Sequence, residues 1–323
     1  MEITTPEISV VIPLYNKAPY IKRAIDSVLS QTVQNFEIII INDGSTDGGE
    51  KIVEKYCDSR IHLINQENKG VSATRNRGVE MASSELIAFL DADDEWLPEF
   101  LETILQLRKK FPDAGMYGTG YVQITHDDKH IVKAYRPDLG DRKLTSFFSA
   151  KMDFCNGVGM LISTSGMAVD KLIYQTVGGF PEGYKMCEDR ALRGKIALVS
   201  DVVYSPSIRA TYHNNTINNS SEHRDYLTDA FSDYVGEHYS LIEKRFDYTD
   251  ILDFCEVNQL GLIERNIRNN PHMRIRELRD LFKIHQTKYL PRKSLLIFYC
   301  LTPVRLRKIG IYVYHLIHPN NTT

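Results

Sequence analysis

Between Ile8 and Leu107 a short β-branched or aliphatic run gives way to a helically spaced segment four times in succession. The first run, Ile8 to Leu14, has no helical spacing and reads as a strand buried on both faces. Pro19 suits a first helical turn, and Ile21, Ala24, Ile25, Val28 and Leu29 then recur at the spacing of one helix face. The alternation continues as strand 36–41, helix 47–56, strand 61–64, helix 71–81, strand 86–90 and helix 97–107. Repeated βα units of this length predict an α/β fold, a mostly parallel sheet with right-handed crossovers and flanking helices. Ligands bind such sheets at the carboxyl ends of the strands. Those ends are Leu14-Tyr15-Asn16, Asn42-Asp43-Gly44, Asn65-Gln66 and Asp91-Ala92-Asp93-Asp94.

Past Asp113 the pattern is less regular, with strands expected at 116–124, 130–135 and 202–205 and a helix at 170–177. From about Tyr226 the periodicity is helical, after an Asn-rich hinge at 214–221. At 323 residues, 42% hydrophobic and 25% charged, the composition is that of a globular protein with one large domain or two. The five cysteines are scattered and never spaced as CxxC, which argues against a disulfide scaffold or a cysteine zinc site. The longest apolar run near the C-terminus, Leu295 to Leu301, falls far short of the roughly 20 residues of a membrane span. No basic, apolar and small-residue succession opens the chain, so it is read as cytoplasmic.

The net charge of −3 conceals an asymmetry: residues 271–323 carry ten Lys/Arg against Glu277 and Asp280, and the remainder has 29 basic and 40 acidic residues. An acidic body argues against nucleic acid as a partner. In the tail, basic clusters around Arg292 and Arg305 flank apolar stretches, and Pro303 breaks any single long helix. Two readings stand open: a peripheral contact with an anionic inner membrane surface, or packing on the body or on a second subunit of a homodimer.

Two nucleotide signatures are missing. No GxGxxG follows the first strand, since Gly157-Val158-Gly159 lacks a third glycine, and no GxxxxGK[ST] occurs. A nucleotide could bind otherwise, with Tyr15 as a stacking face and Asp43 as a carboxylate for a base N–H. The plainer reading of Asp43 is an Asx turn closing the strand. Three carboxylates, Asp91, Asp93 and Asp94, directly after a buried strand repel one another unless compensated, and Mn²⁺ or Mg²⁺ with a diphosphate would compensate them. Asp93 or Asp94 could instead cap the following helix, with Asp94 as cap and Asp91 and Asp93 as ligands satisfying both readings.

Val10-Val11-Ile12-Pro13-Leu14-Tyr15-Asn16, Ser27-Val28-Leu29-Ser30-Gln31-Thr32, Asn42-Asp43-Gly44-Ser45-Thr46-Asp47, Asn68-Lys69-Gly70 with Arg75-Asn76, and Leu90-Asp91-Ala92-Asp93-Asp94 together resemble the ordered motifs of family 2 glycosyltransferases. The resemblance covers residues 7–115 closely, and Thr74 departs from the family's usual alanine. It implies a GT-A fold, Rossmann-like, followed here by a C-terminal helical region. The implied division is a nucleotide-sugar half at 1–115, an acceptor half at 116–220 and the helical region at 221–323. It further implies a nucleotide-sugar donor and transfer with inversion. Pro13, Tyr15, Asp43 and Arg75 would hold the nucleoside, with Lys69 a further candidate. Asp91, Ala92 and Asp93 would hold ribose and metal-diphosphate. Uridine is preferred, because Asp43 can accept the N3–H of uracil, with guanine the runner-up.

Gly178-Gly179-Phe180 and Cys187-Glu188-Asp189 resemble later family segments, which implies that Asp189 is the catalytic base. Ala191 and Arg193 stand where the family often has an acidic residue and a tryptophan, a departure that bears on the acceptor pocket. Outside the family, Glu188 and Asp189 read as acids in a first helical turn. His213 closes a strand-like segment, either as a third metal ligand or as a loop histidine. The acceptor implied is a glycan or a lipid-linked saccharide. A nucleotidyltransferase, a non-catalytic glycan-binding module and a scaffold acting through its tail are the rival classes.

Overall fold

The computed structural model describes residues 5–124, 131–134, 140–143, 161–184, 187–214 and 216, together with Ala230, Tyr234 and Val235. The chain forms two compact units, the first of residues 1–147, 160–183 and 188–222, the second of 148–159, 184–187 and 223–323. All elements below belong to the first unit. Beyond 226 only the last three residues are described, so the C-terminal helices and the basic tail lie outside the described residues, as does Gly157-Val158-Gly159.

The βα alternation is present: β1 (Ile8–Leu14), α1 (Ala18–Leu29), β2 (Phe36–Asp43), α2 (Gly49–Val53), β3 (Ile61–Gln66), α3 (Val71–Met81) and β4 (Leu86–Phe89). There follow β5 (Glu95–Trp96), α4 (Phe100–Lys110), β6 (Met116–Ile124), β7 (Ile131–Ala134), β8 (Arg142–Lys143), β9 (Met167–Asp170), α5 (Lys171–Thr176), α6 (Glu188–Val199) and β10 (Val202–His213). One sheet holds them in the order β3-β2-β1-β4-β9-β6-β10-β5, with β7 beside β6 and β8 beside β10. β3, β2, β1 and β4 are parallel, in register from Ile8 opposite Phe36 to Leu14 opposite Asn42. The second half is mixed: β9 runs antiparallel to both β4 and β6, while β6 and β10 are parallel. The chain moves from β1 outward to β2 and β3 and then returns to the other side of β1, which makes the crevice between the β1 and β4 ends the switch point where such sheets bind ligands.

β1 is buried at every residue except the half-buried Pro13, as expected of a central strand covered on both faces. On α1, Ile21, Ala24, Ile25 and Val28 are buried, the face foreseen from their spacing. α2 starts two residues later than expected because Gly48, at φ 81°, forms its N-cap, and it ends at Val53.

Two expectations are corrected. The segment after the Asp-rich loop is first a strand, and α4 begins only at Phe100, with Glu99 in the cap position and no side-chain cap. Neither Asp93 nor Asp94 caps a helix. Pairing with β10 wins over local helix preference there: Trp96 lies opposite Ala210, stacks on Phe100 at 4.1 Å and donates from Nε1 to the Ser165 carbonyl. The strand expected to stop at Ser205 instead runs to His213, passing Pro206 through two register shifts, the positions at which a sheet tolerates proline. Among the described residues no helix is long and apolar enough to cross a membrane.

α3 lies close against β1 through Gly78, where an added Cβ would stand 2.3 Å from Val11 Cγ1. Gly78→Ala gains about 1 kcal/mol of helix propensity but overpacks a central strand, typically costing about 1–3 kcal/mol. The variant should unfold at lower denaturant than wild type. An equal or higher midpoint would refute this packing account.

Candidate active site

The β1 end sets the first wall. Tyr15 is 48% exposed, an aromatic face open to a ligand. Asn16 turns the chain at φ 50°, a left-handed conformation that asparagine tolerates, and its Oδ1 accepts from the Thr46 N–H at 2.8 Å. The β1 and β2 ends are thereby tied together.

Asp43, at the end of β2, is buried, and its partners are distant in sequence. One carboxylate oxygen accepts from Gln66 Nε2 and the Lys69 N–H, the other from the Gly70 N–H, at 2.7, 2.8 and 2.9 Å. An Asx turn does not describe this: Asp43 holds the 66–70 loop. Lys69 takes part through its backbone, with its side chain exposed. A carboxylate has about four acceptor positions, and three are occupied here.

The three carboxylates after β4 separate into three environments. Asp91 Oδ1 accepts from Arg75 Nη2 at 2.6 Å, and its backbone N–H donates to Ser165 Oγ. Asp93 Oδ2 accepts from both Lys17 Nζ and Thr216 Oγ1 at 2.6 Å, while Arg23 donates to the Asp93 carbonyl. Asp94 is fully buried, accepting from Ser165 Oγ at 2.5 Å and from the His213 N–H at 2.9 Å. Burial, then the charges of Asp93 and Asp91, push its pKa well above the ordinary carboxylate range. Asp94 is therefore a structural acid joining β10 and residue 165 to the loop.

Arg75 on α3, its side chain only 5% exposed, reaches Asp91 with one nitrogen and Glu188 Oε1, at 3.0 Å, with another. Its guanidinium also lies 4.9 Å from the Phe180 ring centroid. Burial works to lower its pKa, but Asp91, Glu188 and Asp189 outweigh burial and raise it. The residue expected at the nucleoside is thus engaged by two carboxylates. Neighbouring Asn76 fixes the Gly179-Phe180 turn, accepting from the Phe180 N–H and donating to the Phe180 carbonyl.

Glu188 and Asp189 open α6. Asp189 accepts from Arg193 Nη2 at 2.8 Å and from the Arg190 N–H at 2.6 Å. Burial raises its pKa, yet Arg193 and Arg190 together bring it below the ordinary value, whereas burial and the Asp189 charge raise that of Glu188. The neighbouring acids are therefore pushed apart, with Asp189 the one held ionised. Arg193, noted in the sequence only as a departure, is the direct partner of the expected base.

His213 does not join the carboxylates. Its Nε2 stands 3.0 Å from Glu95 Oε1, and among the described residues no three His, Cys, Asp or Glu side chains are grouped to hold a metal. The three-ligand set of Asp91, Asp93 and His213 is thus not assembled, because the histidine ring is turned to Glu95. Asp91 Oδ2 and Asp93 Oδ1 accept no hydrogen bond among the described residues. Two such oxygens fit a hard ion that takes one or two carboxylates and completes its shell with phosphate oxygens and water.

Sequence reasoning missed Lys17, Ser165 and Thr216. Lys17 follows Tyr15-Asn16 at the same strand end and could have been found there. Ser165 and Thr216 come from segments without periodicity and carry no such signal.

Residues 9–177, just over half of the chain, match the family described as glycosyl transferase family 2. The chain belongs to this family. A relative in Bacillus subtilis named EpsH, a glycosyltransferase by name, is 44% identical over 147 residues, covering 40% of this chain and 43% of its own. YibD of Escherichia coli, also named as a glycosyltransferase, is 43% identical over 106 residues, 32% of this chain and 31% of its own. The matches thus span less than half the length of either relative. The structure of Staphylococcus aureus TarS 1–349 in complex with UDP-GlcNAc is similar in fold, with a TM-score of 0.62 and 17% identity over 98% of this chain and 89% of that one. The fold is of the GT-A type that the sequence resemblance implied.

Arg75→Met leaves Asp91 and Glu188, with side chains 25% and 15% exposed, without their cation, which should destabilise the fold by less than the about 3–5 kcal/mol of a fully buried pair. Glu188 already has a raised folded-state pKa, so its contribution to stability is present below its unfolded pKa and is lost as pH rises through the folded one. The deficit of the variant should therefore be smaller at pH 5 than at pH 8 in denaturant titrations. A deficit that grows on acidification contradicts this account.

Proposed function

We propose that this glycosyltransferase takes a sugar from a nucleotide diphosphate sugar, preferentially a UDP-sugar, and transfers it with inversion to a hydroxyl of a glycan or lipid-linked saccharide. The observation that carries the reading is the Asp91–Arg75–Glu188 chain. One buried guanidinium connects the strand end of the donor carboxylates to the helix start that bears Asp189. The TarS structures with UDP-GlcNAc and with UDP are consistent with such a donor.

In this reading Tyr15 stacks on the base beside Pro13, and the acceptor position left on Asp43 takes the N3–H of uracil. The Lys69-Gly70 loop, fixed by Asp43, lines the same side. Asp91 and Ala92 face the ribose, and Asp93 faces the diphosphate. Mn²⁺ or Mg²⁺ held by Asp91 and Asp93 would act as a Lewis acid toward the charge that builds on the leaving diphosphate. Asp189, kept ionised by Arg193, removes the acceptor proton as that oxygen attacks the anomeric carbon opposite the leaving group. The bond from carbon to diphosphate oxygen breaks in the same displacement, which inverts the centre without a covalent glycosyl-enzyme. A peripheral membrane contact through the basic segment 271–323 accords with a lipid-linked acceptor.

Asp189→Asn keeps the shape of the side chain but cannot take a proton. Donor affinity should stay within a few-fold of wild type while transfer falls by about 10²–10⁴-fold. Transfer by the variant within a few-fold of wild type would return Asp189 to the role of a helix-start acid.

Calorimetric titration with Mn²⁺ present should give tighter binding of UDP than of GDP. GDP binding more tightly would reverse the assignment of the base.

A further inference from the structure

Lys17 occupies the N-cap position of α1, where its carbonyl accepts from the Tyr20 and Ile21 N–H groups and its side chain makes no cap. The backbone is fixed and the ammonium is directed elsewhere: Nζ lies 2.6 Å from Asp93 Oδ2 and 3.4 Å from Thr216 Oγ1, with the Lys17 and Asp93 side chains 13% and 16% exposed. The contact sits at the switch point between the β1 and β4 ends. Each acid of the loop thus has a separate compensation: a buried guanidinium for Asp91, burial for Asp94, and the Lys17 ammonium together with the Thr216 hydroxyl for Asp93.

These compensations differ in how readily they can be exchanged. Arg75 is held by two carboxylates and an aromatic face. A lysine ammonium is a compact charge on a flexible stem and can leave a carboxylate without dismantling a planar fork. We propose that Lys17 is a built-in competitor for the divalent ion at Asp93: its ammonium stands on the metal-binding carboxylate, suppresses binding of the ion alone, and yields when ion and nucleotide diphosphate arrive together. This rests on the reading of Asp93 as a donor-site carboxylate. An ion arriving alone must displace a partly buried cation, whereas with a diphosphate the displaced ammonium has new anionic oxygens nearby. Ion and nucleotide should therefore each tighten the other's binding. If Lys17 were only a brace between α1 and the loop, its removal would lower stability without creating an ion site.

The test is titration with Mn²⁺ alone, followed by the electron paramagnetic resonance of the free ion. Lys17→Met should bind Mn²⁺ at least about tenfold more tightly than wild type, the scale of losing one nearby like charge. The gain should vanish in the Lys17→Met, Asp93→Asn double variant, and Lys17→Arg should bind Mn²⁺ no more tightly than wild type. Lys17→Gln serves as a second neutral replacement if the methionine variant does not fold. Unchanged Mn²⁺ affinity in the neutral variants, no binding by any of them, or a gain that survives Asp93→Asn would overturn the proposal. UDP titration of wild type with Mn²⁺ is the separate control: absence of binding there would count against the proposed donor, while the Mn²⁺ titration still judges Lys17.

Discussion

A guanidinium with 5% of its side chain exposed is tolerable only with carboxylates around it, and Arg75 has one on each side. The two come from different parts of the chain: Asp91 from the end of β4 and Glu188 from the start of α6. Their shared cation fixes where α6 begins relative to the strand ends, and Asn76 on the next position of α3 fixes the turn that leads toward it. α3 is in turn held against the central strand at Gly78. A single helix therefore connects the hydrophobic core to both polar ends of the site.

Acidity in this site is distributed by environment rather than by residue type. Asp94 lies in a fully buried position that favours the neutral acid, while Asp189 is kept anionic by the arginine one turn later. Glu188, immediately before it, is displaced in the opposite direction. Adjacent acids whose environments separate their proton affinities are a common arrangement where one must accept a proton.

The first ninety residues were legible because each element there is specified locally. β1 is an uninterrupted aliphatic run, and α1 and α3 have unambiguous spacing or bounds. The later strands were not legible for the opposite reason. Glu95 and Trp96 form a strand only because β10 lies beside them, and β10 continues past Pro206 only because β6 supports it through the bulges. In the site, residue types were readable but partners were not: Asp43 faces Lys69 and Gly70, His213 faces Glu95, and Arg193 faces Asp189. None of the first two pairings follows a fixed spacing that a sequence displays, whereas the i,i+4 separation of Asp189 and Arg193 was open to view.

The Asp-rich loop is fastened by residues that the ribosome makes late. Ser165 reaches Asp94 across 71 positions, the His213 N–H across 119, and Thr216 reaches Asp93 across 123. During synthesis the parallel strands can pair as they emerge, but the loop at their ends has to wait for a further 71 to 123 residues before its anchors exist. Contacts of such long range form slowly, since chain entropy must be lost before they contribute. A nascent or truncated chain ending near residue 115 would thus carry the motifs of a donor site without the means to hold them in shape, and would expose acids that only the finished sheet can accommodate.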